Sequence, residues 1–123
     1  MPAPTGQKKD VLDQEAVLSL FEGDAELLRE VVELFLADCP RQLSAIREAI
    51  GRSDAAALER AAHSLKGSVS NFAAPAAFQA AFNLEEIGRA RDLSKAAEGL
   101  GTLEEQISLL QTTLAEFAKE YVL

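Results

Sequence analysis

The 123 residues suit one small domain, and an apolar share of 48% is enough for a single core. Twelve Lys and Arg against twenty Asp and Glu leave a formal charge of −8, which argues against nucleic acid and anionic membrane as partners. One histidine and one cysteine, Cys39, make a poor metal set and exclude an internal disulfide, which fits a reducing cytoplasm. No apolar run approaches the ~18 residues of a membrane span. The opening "MPAPTGQKKD" lacks the apolar core of a signal peptide, and the seven glycines are too scattered for a phosphate-binding loop.

Residues 1–10 carry Pro, Gly, Thr and Lys without periodicity and read as a flexible lead-in or linker. From residue 11 to 123 the chain reads as helix nearly throughout, as one helical domain. "LDQEAVLSLFEG" predicts a short first helix, with Asp13 as cap, Leu12 and Val17 as a hydrophobic staple, and Gly23 as terminator. Asp24 then caps a second helix whose apolar stripe is read as Leu27, Leu28, Val31, Leu34 and Phe35. Pro40 should kink or restart it, and Leu43, Ile46, Ala49 and Ile50 carry the stripe to Gly51. Ser53 or Asp54 caps a third helix, which holds His63. Pro75 suits the first turn of a fourth helix running to about Asp92. Ser94 can cap a fifth, where Leu100, Leu103, Ile107, Leu110, Leu114, Phe117 and Tyr121 form a packing seam. Four long amphipathic helices with short links imply an all-α, antiparallel up-down-up-down four-helix bundle, with the short first helix capping one end.

The third helix raises a question. On a wheel of about 100° per residue, Leu58, Ala61, Ala62, Leu65, Val69 and Phe72 fall within about 50° of one direction, the core face. His63 lies about 140° from that direction, Gly67 near 180°, Ser70 near 120° and Lys66 near 80°. The imidazole therefore stands on the outer face with Lys66 and Gly67 as neighbours. A lone surface histidine needs no function, but glycine inside a helix costs about 1 kcal/mol relative to alanine, and this chain uses alanine freely. Close approach of another molecule explains such a glycine. An imidazole nitrogen is nucleophilic near neutral pH and can accept a phosphoryl group and give it up. Lys66, one turn on, can neutralise charge there, and Gly67 leaves space for a docking protein.

"HSLKGS", followed by "NLEEIGR", resembles the histidine-containing phosphotransfer (HPt) domains of multistep two-component phosphorelays. The likeness covers residues from about 11 to 120 in helix order and length, and "ELFLADCPRQLSAIREAI" and "AALERAAHSLKGS" look like the family's second and third helices. The resemblance implies that His63 carries a phosphoryl group, on Nε2, between aspartates of receiver domains. Those receivers would belong to response regulators or to a hybrid sensor histidine kinase. It implies no kinase activity, no ATP and no cofactor of the module's own, with magnesium held by the receiver. Lys66 and Gly67 match the motif directly, and Ser68 matches in a packing or backbone role. By spacing, Glu85 stands where some members place a polar residue that hydrogen-bonds the histidine, with Arg89 one turn on. A carboxylate there can orient the imidazole but repels a phosphoryl group. Val69 stands where a small residue is common, and Ala73 where glycine is common.

Receiver docking needs an apolar patch around His63. Candidates are Val17, Leu20, Phe21, Leu27 and Val31 on the first two helices, Phe78 and Phe82 on the fourth, and the polar Ser70. The module is expected to be monomeric and cytoplasmic. Two other readings stand beside it. One is a degenerate bundle that binds receivers as a scaffold or adaptor without transfer. The other is a hydrolase using His63 as base, for which no nucleophile or cleft is apparent.

Overall fold

The computed structural model describes residues 11–122, and the side chains of residues 11–120. The expected lead-in, residues 1–10, and the Tyr121 side chain lie outside the described residues. The described residues form five complete α-helices: α1 (Gln14–Leu20), α2 (Ala25–Gly51), α3 (Ala55–Val69), α4 (Pro75–Ala90) and α5 (Ala96–Val122). Short 3-10 turns at Ser70–Phe72 and Leu93–Lys95 join α3 to α4 and α4 to α5.

Side-chain capping sets the helix starts. Asp13, Asp24 and Asp54 each accept a hydrogen bond from a backbone N–H three residues on, which satisfies a donor that the first turn leaves open. At the last link Asp92 caps the Leu93–Lys95 turn ahead of α5, its carboxylate accepting from the Ser94 N–H at 3.1 Å, and Ser94, expected as a cap, lies inside that turn. Pro75 occupies the first turn of α4.

α2 packs on α3 and α5, and α4 also packs on α3 and α5, so the long helices close an antiparallel four-helix bundle. α1 lies across one end: Val17 is fully buried, and the Asp13 N–H donates to the Ala73 carbonyl at 3.0 Å. Phe35 of α2 and Phe72 meet edge to face, ring centres 5.2 Å apart, and close the core at that end. On α3 the buried positions are Leu58, Ala62, Leu65 and Val69, followed by Phe72, as the wheel requires. On α5, Leu103, Ile107, Leu110, Leu114 and Phe117 are buried while Leu100 is half-buried. Cys39 is buried in α2, and burial pushes its thiol up to about 11, which leaves it a packing residue without thiolate chemistry.

α2 departs from the expected pattern twice. It runs unbroken through Pro40, which sits on the exposed side, so of the kink or restart expected there the restart does not occur. Its buried stripe is Leu28, Val32, Phe35, Cys39, Leu43, Ile46 and Ala49. Leu27 and Leu34 are 44% and 63% exposed, and Val31 is only half-buried. Apolar residues occupy both stripes in this stretch, and only the placement of the neighbouring helices selects one.

Ala73 lies between α3 and α4 at φ 42° and ψ 53°, in the left-handed region that disfavours a Cβ. A glycine, which the resemblance leads one to expect at this position, would adopt that conformation without strain. Ala73→Gly should raise stability by about 0.5–1 kcal/mol, the relief of strain exceeding glycine's extra unfolded-state entropy. A chemical-denaturation midpoint at or below wild type would refute this account of the turn.

Candidate functional site

α3 presents His63 outward, its side chain 66% exposed, and α4 lies alongside. The approach of these two helices is set by small residues. Ala62 on α3 and Ala77, Ala81 and Gly88 on α4 are all buried. A Cβ at Gly88 would fall 2.6 Å from the Glu59 backbone N and 2.8 Å from the Ala55 carbonyl oxygen, so the α4 backbone touches that of α3 there. Glu85 sits one turn before this contact and reaches across to His63.

Glu85 is almost fully buried, its side chain 4% exposed, and its two oxygens are divided between partners. Oε2 lies 2.9 Å from His63 Nδ1 and also accepts from Arg89 Nη2 at 3.0 Å. Oε1 forms an ion pair with the Lys66 ammonium at 2.7 Å. Lys66 is the main influence that holds the Glu85 carboxyl below the usual glutamate range; burial opposes it and the His63 contact adds to it. An ionised carboxylate only accepts, so Nδ1 carries the proton and donates to Glu85. In the neutral ring this leaves Nε2 as the nitrogen with a free lone pair.

The repulsion expected from a carboxylate beside a phosphoryl site is met here by two cations within 3.0 Å of that carboxylate. Arg89 itself spans three carboxylates: it pairs with Glu59 on α3 at 3.1 Å and with Glu85 and Glu86 on its own helix. Lys66 differs from the expectation. Its side chain is 19% exposed and turned toward α4, so its charge lies on Glu85 and not on the outer face. Gly67 is exposed, and a Cβ there would meet nothing within 4 Å.

The remaining candidates separate clearly. Ser70 Oγ donates to the Gly67 carbonyl at 2.6 Å and closes the last turn of α3, with no contact to the imidazole. Ser68 accepts from Gln42 Nε2 of α2 at 3.1 Å, a packing role. Phe78 and Phe82 both lie beside the Lys66 ammonium. Phe21 and Val31 are half-buried against the core, Val17 is wholly inside it, and Leu20 and Leu27 are exposed. Sequence reasoning did not single out Gln42, Glu59 or Gly88. Gly88 stood in the quoted "NLEEIGR" and carried the same signal as Gly67, a glycine inside a helix.

The Hpt domain family model matches residues 30–113, a span that contains His63, Lys66, Gly67, Glu85 and Arg89. The chain belongs to the Hpt domain family. It is similar to the crystal structure of histidine-containing phosphotransfer protein B (HptB) from Pseudomonas aeruginosa PAO1, with 26% identity, a TM-score of 0.83, and coverage of 89% of this chain and 96% of that one. The Hpt domain of a sensor hybrid histidine kinase from Shewanella shares the fold at 15% identity, with a TM-score of 0.79 over 91% of this chain and 97% of the other. No curated protein matches the chain in sequence. The chain is thus a phosphotransfer module of the phosphorelay class, and nothing favours the scaffold reading. Among the described residues no helix is long and apolar enough to cross a membrane.

Two predictions follow from this geometry. Glu85 has a depressed folded pKa, so its contribution to stability is present above the ordinary glutamate range and lost as pH falls through its lowered value. The melting-temperature gap between wild type and Glu85→Gln should therefore be widest near neutrality and close in acid; a gap that stays constant with pH would contradict the pairing. The two helix glycines should respond with opposite sign. Gly67→Ala should stabilise by up to about 1 kcal/mol through helix propensity. Gly88→Ala should destabilise by about 1–3 kcal/mol or more, because its Cβ meets backbone that cannot rotate away. Thermal melts of the two variants beside wild type decide both.

Proposed function

We propose that His63 accepts the phosphoryl group, through Nε2, from an aspartyl phosphate on a receiver domain and returns it to the aspartate of another. The observation that carries this is the Nδ1–Glu85 contact, which points the free nitrogen of an exposed ring toward solvent. In the transfer the Nε2 lone pair bonds to phosphorus as the bond to the aspartate oxygen breaks, and the carboxylate leaves with that electron pair. The ring becomes positive as its lone pair is used, and the ionised Glu85 against Nδ1–H stabilises that charge, much as an aspartate supports histidine in a catalytic triad. Lys66 and Arg89 balance Glu85 in the resting module. Gly67 gives the incoming receiver room beside His63.

The docking surface in this reading lies across α1, α2 and α3. The Gln42–Ser68 hydrogen bond fixes which flank of α2 meets α3, and the Arg47–Glu104 pair at 2.7 Å puts the opposite flank against α5. Leu27, Val31 and Leu34 lie on the flank toward α3. With Leu20 and Phe78 they include four of the five large apolar side chains that are exposed among the described residues. Residues 11–38 hold eight acids against one base, Arg29, and so carry most of the net charge. A receiver whose apolar docking patch is rimmed by Lys and Arg matches this surface in both respects. The module needs no ATP site, no kinase activity and no metal of its own, because an aspartyl phosphate is already activated and the receiver would bring the magnesium. In this reading the module works beside its receivers in the cytoplasm, as a monomer.

His63→Gln should fold normally, since the side chain is outward, and should take no label from a phosphorylated receiver. Acid-labile, base-stable label still appearing on that variant would remove His63 from the mechanism.

A further inference from the structure

Phe78, Phe82 and Glu85 stand at i, i+4 and i+7 on α4, a single stripe facing α3. The Lys66 ammonium lies against all three. It is 5.2 Å from the Phe82 ring centre, 5.9 Å from that of Phe78 and 2.7 Å from Glu85 Oε1. Both rings are within the ~6 Å at which an aromatic face attracts a cation. On an open helix face a lysine stem keeps its rotamer freedom and the ammonium stays hydrated. Here the side chain is four-fifths enclosed, with two rings and a carboxylate against its ammonium.

We propose that Phe82, with Phe78, is a positioning residue for phosphotransfer: the rings hold the Lys66 ammonium on Glu85, and through Glu85 they fix the tautomer and orientation of the His63 imidazole. The inference rests on His63 as the phosphoryl acceptor. It assigns the aromatic pair a role inside the resting module and not only at its docking surface. Without the rings, Lys66 gains alternative solvated rotamers and Glu85 loses the partner of Oε1. With Oε1 left buried and without its partner, the Glu85 side chain turns to regain one, its alignment on Nδ1–H is lost, and the ring samples the tautomer in which Nε2 is protonated and cannot attack.

The test compares the whole chain with Phe82→Leu, which keeps apolar bulk and removes the aromatic face, and Phe82→Tyr, which retains it. Nitrogen-15 NMR of the unphosphorylated His63 ring reads the tautomer. Label uptake from a receiver domain charged with labelled acetyl phosphate reads the rate. Phe82→Leu should move the ring signals toward a tautomer mixture and lower the saturating transfer rate about two- to thirtyfold, the range set by cation–π strengths. The half-saturating receiver concentration should not change, and Phe82→Tyr should restore both signals and rate. Unmoved ring signals in Phe82→Leu overturn the proposal, whether the variant shows a raised half-saturating concentration, the mark of a docking contact, or only a lower melting temperature, the mark of packing. If Phe82→Leu does not fold, Phe78→Leu, at the more exposed ring, carries the same readouts. The NMR arm needs no transfer at all, so label persisting on His63→Gln would defeat the acceptor assignment while leaving the ring measurement to judge the cage separately.

Discussion

Glu85 is the only charged side chain buried among the described residues, and the arrangement of α3 and α4 depends on satisfying it. A carboxylate taken out of water is strongly unfavourable unless cations and donors surround it. Glu85 receives three such partners, and two of them, His63 and Lys66, sit one turn apart on α3. They can reach it only if the two helices run very close. Gly88 and the alanines around it make that approach possible, and any Cβ at 88 would push the helices apart where the carboxylate must cross. The "NLEEIGR" segment is therefore one device. Its glutamate sets the polar contact, its glycine sets the distance, and its arginine ties the carboxylate back to α3 through Glu59.

Much of this was legible in the sequence, because the signals involved are local. Caps are read from a few adjacent residues, and Asp13, Asp24 and Asp54 act as such. The α3 wheel separated a narrow apolar stripe from a polar face, so His63 and Gly67 fell on the outside where they belong. α2 was misjudged because its first half is apolar on both sides. Leu27 and Leu34 compete with Leu28, Val32 and Phe35 for the core, and the choice depends on where α3 and α5 lie. The lysine was legible in identity and not in direction. A wheel placed it about 80° from the core, an angle from which a long side chain can turn either to solvent or to the next helix. The aromatic rings and Glu85 decide for the helix.

The two glycines show the same limit more sharply. Each stands inside a helix of an alanine-rich chain, four residues after His63 or three after Glu85, and propensity alone treats them alike. Around Gly67 there is open space, while Gly88 lies against the backbone of another helix. One glycine is compatible with a surface kept clear for a visitor, and the other is required by the fold itself. A rule based on helix position cannot separate these cases, because the difference lies in what another segment of chain does some thirty residues away.

The enclosure of Lys66 also bears on what a carrier must do. Catalysis and carriage make opposed demands: a group that binds the phosphorylated form tightly would trap it, and only stabilisation realised in the transition state speeds passage in both directions. In the proposed reading the outer face of α3 offers an exposed imidazole nitrogen and, beside it, a glycine with no neighbour. Lys66 and Arg89 are engaged by carboxylates and present little free charge to a resting phosphoryl group. The charge that Glu85 does contribute acts on the ring, where positive charge develops during transfer and is relieved when the phosphoryl group leaves. The cations that meet the phosphoryl oxygens would then come with the receiver, and transfer would proceed only while a receiver is docked. In that reading the enclosed lysine adds little direct hold on the phosphoryl oxygens between dockings.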